Sequence, residues 1–284
     1  MELSIIIVSY NTSHCISSCI KSLLRQTEVN FEIIVIDNAS QDESVKVLTE
    51  FGDKITLVAN RENLGFSKGC NQGASLANGE ALIFVNPDVE YLNPGDLKKQ
   101  LDFHRTHAEF GLVGTNILHQ PSFAGRGYPG QKQVDYAFEA LPGDIAYIIC
   151  CNVIIEKDLF EKLNGFDERF FVYGEDIDIC LRIRQLGYAI GICDSVTIHH
   201  ETGASERNSS SYDRHLRRQR AVYLFLEKHY PTNLFKKLIK INLWRARKGL
   251  IILHLLRLFK SKVKFKDKSN RFRAMREVCL NFKN

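Results

Sequence analysis

The sequence predicts an α/β protein: a mostly parallel sheet with helices on both faces, followed by a basic helical extension. Three observations carry this. Short β-branched runs alternate with helix-length amphipathic segments through the first half of the 284 residues, the pattern of βαβ units. The runs are apolar at consecutive positions, as strands buried on both faces require. From Ser211 the composition shifts to long aliphatic side chains interleaved with Lys and Arg.

Leu3–Ser9 (LSIIIVS) is the first strand. His14–Gln26 places Ile16, Ile20, Leu23 and Leu24 at helical spacing. Glu32–Asp37 is the second strand, and Asp42 caps a helix running to about Phe51. Lys54–Ala59 is a strand, Phe66–Ala77 a helix ending near Asn78-Gly79, and Ala81–Val85 a strand entering Asn86-Pro87-Asp88. Pro94–His107 reads as a helix, Gly111–Ile117 as a strand, and Pro121–Gly143 as a loop or mobile flap. Ala146–Ile155 is predicted as one strand, Asp176–Leu186 as a helix, Tyr188–Cys193 and Thr197–His200 as two strands. Tyr212–Tyr230 and Leu234–Phe259 are basic amphipathic helices, and 260–284 is expected to be poorly ordered. Ligands in such sheets bind beyond the carboxyl ends of the strands, where Ser9-Tyr10-Asn11, Asp37-Asn38 and Asn86-Pro87-Asp88 all fall.

The net charge of +5 conceals an asymmetry: from Arg214 onward 21 Lys and Arg face three acidic residues, so the body is acidic and the tail strongly basic. An anionic partner is expected at the tail alone. The eight cysteines include no C-x-x-C pair, and the chain opens directly on a strand-like run, so buried reduced thiols in a cytosolic protein are expected. The vicinal pair Cys150–Cys151 reads as two small buried residues or as a redox device. No run of 18 uncharged apolar residues predicts a membrane span.

Four constellations bear chemistry, each with a plainer alternative. Asp88 is a turn residue or a carboxylate holding a divalent cation against a diphosphate. Glu175-Asp176-x-Asp178 caps a helix and complements its dipole, or its clustered carboxylates raise one another's pKa as a general base requires. His199-His200 is a hydrogen-bonded surface pair or supplies a metal ligand. His14, His104, His107 and His119 show no ligand spacing. Asn63-x-Gly65-Phe66-x-x-Gly69-x-Asn71-x-x-Gly73 allows close backbone approach at a helix N-terminus, where phosphate is favoured.

In their order, these motifs resemble the inverting family 2 glycosyltransferases over about residues 3–230. The resemblance rests on Ile6–Asn11, Ile34–Ser40, Glu62–Asn71, Phe84–Asp88, Gly165–Phe171 with Tyr173–Asp178, and His200-x-x-Gly203-x-Ser205. It implies the GT-A (Rossmann-like) fold, with a catalytic domain over 1–210 and a helical extension over 211–284. The domain would divide into a nucleotide-binding half, about 1–117, and an acceptor half, about 118–210. By the same resemblance Tyr10, Asn11 and Asp37 contact the nucleoside, and Asn63, Gly65, Lys68, Asn71 and Asn86 line the nucleotide-sugar pocket. Asp88 stands at the metal-binding carboxylate of the family's D-x-D motif, and His200 is a further ligand to Mn²⁺ or Mg²⁺. Asp176 deprotonates the acceptor hydroxyl, with Glu175 beside it. The Asn-Pro-Asp form is similar to that of bacterial rhamnosyltransferases. That implies dTDP-L-rhamnose as donor and a glycan or polyprenyl-diphosphate-linked acceptor in O-antigen-like polysaccharide synthesis. One departure concerns the wall before Gly165-Phe166-Asp167-Glu168. Tyr147-Ile148-Ile149-Cys150-Cys151 replaces the usual aromatic-Gly-Ala, and Glu156-Lys157 replaces basic residues.

The tail is expected either to lie on an anionic membrane surface, placing the protein at the inner face of the cell membrane, or to pack as a helix pair with solvated charges. A donor carrying UDP or GDP is the alternative within the family. A sugar-1-phosphate nucleotidyltransferase is disfavoured, because Ser9–Ser13 contains no glycine. A non-catalytic scaffold binding membrane or nucleic acid is the alternative of another class. No nucleic acid is expected, since the tail carries no recognised nucleic-acid motif.

Overall fold

A computed structural model describes residues 1–120, 124–201, 209–255 and 262–283. The strands are β1 (Leu3–Ser9), β2 (Phe31–Asp37), β3 (Thr56–Ala59), β4 (Ala81–Val85), β5 (Val89–Tyr91), β6 (Phe110–Ile117), β7 (Ala124–Gly125), β8 (Tyr147–Ile148), β9 (Asn152–Glu156) and β10 (Ala189–His200). The helices are α1 (Ile16–Leu24), α2 (Ser44–Thr49), α3 (Phe66–Leu76), α4 (Asp96–Thr106), α5 (Gln131–Val134), α6 (Lys157–Lys162), α7 (Glu175–Gln185), α8 (Ser211–His229), α9 (Thr232–Leu255) and α10 (Lys262–Asn281).

The chain divides into two compact units. One comprises Met1–Gly127, Ala140–Phe171 and Glu175–Ser205; the other comprises Tyr128–Glu139, Val172–Gly174 and Glu206–Asn284. The first holds an eight-stranded sheet ordered β3-β2-β1-β4-β9-β6-β10-β5 among the described residues. Pairings of β1 with β2 and β4, β2 with β3, and β6 with β10 are parallel. Only β9 and β5 run against this direction.

Strand alternation sorts the core into two layers. Leu3, Ile5 and Ile7 of β1 pack with Ile16, Ile20 and Leu23 of α1 and Leu97 and Leu101 of α4. Ile6 and Val8 point the other way, toward Cys70 and Ala74 of α3 and Ile179, Cys180 and Ile183 of α7. Each fully buried aliphatic side chain contributes about 1.5–3 kcal/mol of transfer free energy, which explains why these strands read as unbroken apolar runs. Gly69 and Gly73 lie on the sheet-facing side of α3: a Cβ at either would meet Val8 at 2.9 Å or Ile6 at 2.5 Å. The glycine spacing of that helix therefore serves close packing on β1.

From β1 the chain steps outward through β2 and β3, then crosses back to β4 on the other side of β1. This reversal opens a crevice outside the carboxyl ends of β1 and β4.

Several expectations are corrected. The predicted strand Ala146–Ile155 is two strands, because Asn86 N–H donates to the Cys151 carbonyl at 2.8 Å. There the chain turns, with β8 pairing to β7 and β9 to β4. The two strands over 188–200 are one, β10, with a register shift between Cys193 and Thr197 that keeps it beside β6. Strand β5 and helix α6 are additional, and each is too short to show a period. The 121–143 stretch holds β7 and α5. Within the second unit Tyr128, Tyr136 and Phe138 of this stretch pack against Phe225 and Tyr230. Residues 262–281, expected to be poorly ordered, form α10, whose Ala274, Val278 and Cys279 are fully buried. The eight cysteines are free and buried, and no helix among the described residues is long and apolar enough to cross a membrane.

Candidate active site

At the β1 and β2 ends of the crevice, the backbone is held by short polar side chains. Asp37 is fully buried and accepts from Ser40 N–H at 2.9 Å and Ser40 Oγ at 2.6 Å. Asn11 takes a left-handed conformation, φ 55. Its N–H donates to Ser40 Oγ at 2.8 Å, while its Oδ1 accepts from Gln41 N–H at 2.7 Å. Asn11, Asp37 and Ser40 thus form one cluster, with Tyr10 half-buried beside it. Asn38 Nδ2 donates to the Gly65 carbonyl and ties this cluster to the next loop.

In that loop Asn63 Oδ1 accepts from Gly65 N–H at 2.9 Å. Gly65 has φ +85, and a Cβ there would lie 2.5 Å from the Phe171 carbonyl. Phe66 N–H donates to that same carbonyl at 2.7 Å. Glycine is required by conformation and space together. Lys68 is exposed on the first turn of α3. The Asn71 amide is committed to the backbone of Phe166: its Oδ1 accepts from Phe166 N–H and its Nδ2 donates to the Phe166 carbonyl, both at 2.9 Å. Its place is therefore that of a strut between α3 and the Gly165–Phe171 segment.

At the β4 end, Asn86 and Pro87 turn the chain into β5, which pairs antiparallel with β10 and sets Val89 opposite His200. This pairing brings Asp88 Oδ1 within 3.3 Å of His200 Nε2, both residues being buried. Burial opposes charge on the imidazole, yet hydrogen bonds with Asp88 and Cys151 prevail and raise its pKa to about 10. His200 Nδ1 is buried without a hydrogen-bond partner. Gly203 and Ser205 lie outside the described residues. One carboxylate and one imidazole with an unsatisfied nitrogen suit a divalent cation that draws its remaining ligands from phosphate and water. Among the described residues no group of three or more His, Cys, Asp or Glu side chains is arranged to hold a metal.

Glu175 and Asp176 open α7. Glu175 Oε2 is buried without a hydrogen bond. Burial first, then the charges of Asp176 and Asp178, raise its pKa well above that of an exposed carboxyl. Asp176 is half-buried and accepts from Ile177 N–H at 2.7 Å. Asp178 is structural: it pairs with Arg182 Nε at 2.7 Å, and the same guanidinium donates to the carbonyls of Leu163 and Gly165.

Two features of the site escape sequence reasoning. Cys150 and Cys151 lie on opposite faces of the sheet core, Cys150 in the layer with α3 and α7, Cys151 in the layer with α1 and α4. Burial, then Cys180, Asp176 and Glu175, raise the Cys150 thiol pKa, whereas Cys151 bonds His200. The second feature is a buried polar network beneath Asp88. Tyr91 Oη lies 2.7 Å from Gln100 Oε1 and 3.0 Å from Asn152 Oδ1, its single proton serving one of them at a time, and Asn152 Nδ2 donates to Thr115 Oγ1 at 3.3 Å.

The family model described as "Glycosyl transferase family 2" matches residues 4–163, and one described as "N-terminal domain of galactosyltransferase" matches 135–204. The "low-salt glycan biosynthesis hexosyltransferase Agl10" of Haloferax volcanii is 28% identical over 232 residues, covering 76% of this chain and 72% of its own. The "N-acetylglucosaminyl-diphospho-decaprenol L-rhamnosyltransferase" of Mycobacterium tuberculosis is 24% identical over 263 residues, covering 79% of this chain and 83% of its own. In fold, the chain is similar to a mannosyltransferase of Pyrobaculum calidifontis solved with GDP-Man and Mn²⁺. The TM-score is 0.62 at 14% identity, covering 99% of this chain and 86% of that one.

Proposed function

As a member of glycosyltransferase family 2, matched over 4–163, the chain is a glycosyltransferase of glycan or lipid-linked glycan synthesis, and we propose that it transfers L-rhamnose from dTDP-L-rhamnose with inversion. The acceptor is a glycan hydroxyl, on a polyprenyl-diphosphate carrier, in surface polysaccharide synthesis. The catalytic domain is residues 1–210. The observation that carries this reading is the meeting of Asp88 and His200 at the carboxyl edge of the sheet, 3.3 Å apart. The rhamnosyl donor is supported by the Asn86-Pro87-Asp88 form and by the rhamnosyltransferase relative. The hexosyltransferase relative supports a second reading, a UDP- or GDP-hexose donor.

Asn11 and the Asn63–Gly65 loop hold the nucleoside, Asp37 bracing them through Ser40, with Tyr10 and Lys68 at its rim and Asn86 lining the donor pocket. Asn71 positions the Gly165–Phe171 segment. Asp88 and His200 would hold Mn²⁺ or Mg²⁺, His200 through a neutral imidazole nitrogen. The ion supplies charge neutralisation on the leaving diphosphate. Asp176 takes the proton of the acceptor hydroxyl, whose oxygen bonds the anomeric carbon as the bond to the diphosphate breaks. Glu175, its pKa raised by burial and by the charges of Asp176 and Asp178, lies beside the base. Alignment of the two substrates contributes much of the remaining acceleration.

The tail meets anionic lipid at the inner membrane face. Along α9, Lys237, Ile241, Trp244, Lys248, Ile251 and Leu255 fall on one stripe at alternating spacings of four and three. Trp244, Ile251 and Leu255 are 61%, 62% and 69% exposed.

A thermal-shift panel of nucleoside diphosphates and nucleotide sugars, with and without Mn²⁺ or Mg²⁺, tests the donor site. A metal-dependent rise with dTDP or dTDP-rhamnose, lost in Asp88→Ala, is expected. A larger rise with UDP or GDP ligands replaces rhamnose, and no rise with any nucleotide overturns the reading. Asp176→Asn is expected to abolish turnover while nucleotide binding persists; equal loss of both defeats the base assignment.

A further inference from the structure

Helix α9 carries Lys236, Lys237, Lys240, Arg245, Arg247 and Lys248, all exposed, and no acidic residue. Its inner face is occupied. Phe235 meets the Phe282 ring just beyond α10, with centroids 6.0 Å apart, and a Cβ at Gly249 would lie 2.5 Å from the Phe272 ring of α10. The basic stripe is therefore the outer face, and Trp244, Ile251, Ile252 and Leu255 are exposed on it.

The two kinds of side chain are sorted along the helix axis. The cations lie from Lys236 to Lys248, whereas Gly249–Leu255 holds neither Lys nor Arg and ends on the exposed aliphatics. Lys248 Nζ reaches back over the Trp244 ring, 4.8 Å from its centroid. Its charge is thus drawn toward the amino end of the helix and away from the apolar end. A helix lying flat on a bilayer would set Lys248 and Leu255, on one stripe, at a single depth. Cations gain at the level of lipid phosphate, and aliphatic side chains gain by entering the acyl region. Tilting satisfies both. A tilt of about 30° over the roughly 16 Å from Trp244 to Leu255 lowers the carboxyl end by about 8 Å, within the depth that interfacial helices reach.

We propose that α9 enters an anionic lipid surface at a tilt, Leu255 deepest, Trp244 at the headgroup boundary and Lys236–Lys240 outside among the phosphates. This rests on the membrane reading above and adds the direction of entry. Charge then selects the surface, and the apolar end sets the depth. A second copy docked through the same stripe would oppose cation to cation. Nucleic acid would match the cations and leave Ile251, Ile252 and Leu255 in water.

Trp244 is the only tryptophan of the chain, so its emission reports the stripe directly. The full chain is mixed with vesicles of phosphatidylcholine, with or without phosphatidylglycerol. A blue shift is expected with the anionic vesicles alone. Depth is read at saturating lipid, by quenching from lipids brominated near the headgroup or near the chain end. Trp244 is compared with probes moved along the stripe, Trp244→Phe/Lys237→Trp and Trp244→Phe/Leu255→Trp; all three positions are exposed, so the fold does not depend on them. The probe at 255 is expected to be quenched most by the deep bromines, Trp244 by the shallow ones, and the probe at 237 by neither. Lys237→Gln and Lys240→Gln should each weaken binding about fivefold without changing the depth of the 255 probe. Equal quenching at the three positions, or the reverse order, overturns the tilt while the membrane reading stands. No shift with any vesicle overturns both. A shift that depends on protein concentration alone, or that single-stranded RNA produces and vesicles do not, assigns the stripe to a second copy or to nucleic acid and overturns the proposal. The donor reading fails separately, by absence of nucleotide-dependent stabilisation.

Discussion

Glu175 is a carboxyl held where its charge is unfavourable. Its folded pKa lies above the ordinary value of 4.5 because of burial and of Asp176 and Asp178. A group raised in this way contributes stability below 4.5 that is lost as pH rises through the folded pKa. Glu175→Gln is therefore expected to raise stability at pH 7 by about 1 kcal/mol, to change little at pH 4, and to lower transfer. Thermal unfolding at the two pH values checks this, and a lower Tm at pH 7 defeats it. His104 shows the opposite sign. Its folded pKa is lowered from 6.5 to about 4, so its contribution is complete above 6.5 and is lost as pH falls toward 4. Replacing His104 with Phe should flatten the decline in stability across that window, a difference of about 2 kcal/mol at its acid end. A decline of unchanged depth assigns the acid sensitivity elsewhere. The sequence offered no role for His104, since nothing in its spacing reveals that the ring would be buried without a partner.

At the scale of elements, Gly52 and Gly65 separate conformation from space. Both have positive φ, +53 and +85, but a Cβ at Gly52 meets nothing within 4 Å, whereas one at Gly65 meets Phe171. Gly52→Ala should cost about 1 kcal/mol, the left-handed penalty alone. Gly65→Ala should cost about 3 kcal/mol, because the Phe171 carbonyl must also move. Urea unfolding of the two variants tests the contrast; equal costs deny the Gly65–Phe171 contact. The long buried elements β1, β2, β4 and α7 were legible in the sequence, because complete burial leaves an apolar run or stripe. Strand β5 was not, although it sets Asp88 against His200. A three-residue strand has no period, and its stability comes from the ladder with β10. The break between β8 and β9 was hidden for a related reason: both pieces are apolar, and the turn between them is set by the Asn86–Cys151 hydrogen bond.

For the molecule as a whole, charge is partitioned between body and tail. Replacing Trp244, Ile251 and Leu255 together with Ser should reduce partitioning onto anionic vesicles, and added salt should reduce it further. Unchanged partitioning leaves the basic helices as a solvated packing unit. Helix α10 packs on α8 and α9, with Tyr223 Oη and Cys279 Sγ in contact at 2.9 Å. Its few apolar positions sit in a strongly basic segment, so its order depends on partners that no local pattern announces. By itself, the sequence determined the α/β class, the strand ends where the candidate residues lie, and the family, because each rests on local periodicity or on ordered motifs. The tertiary structure alone decided which of those residues meet. It paired Asp88 with His200, committed Asn71 to the Phe166 backbone, and buried His104 without a hydrogen-bond partner. Those outcomes depend on strand order and register, which join positions far apart in the chain and leave no mark on the residues between them.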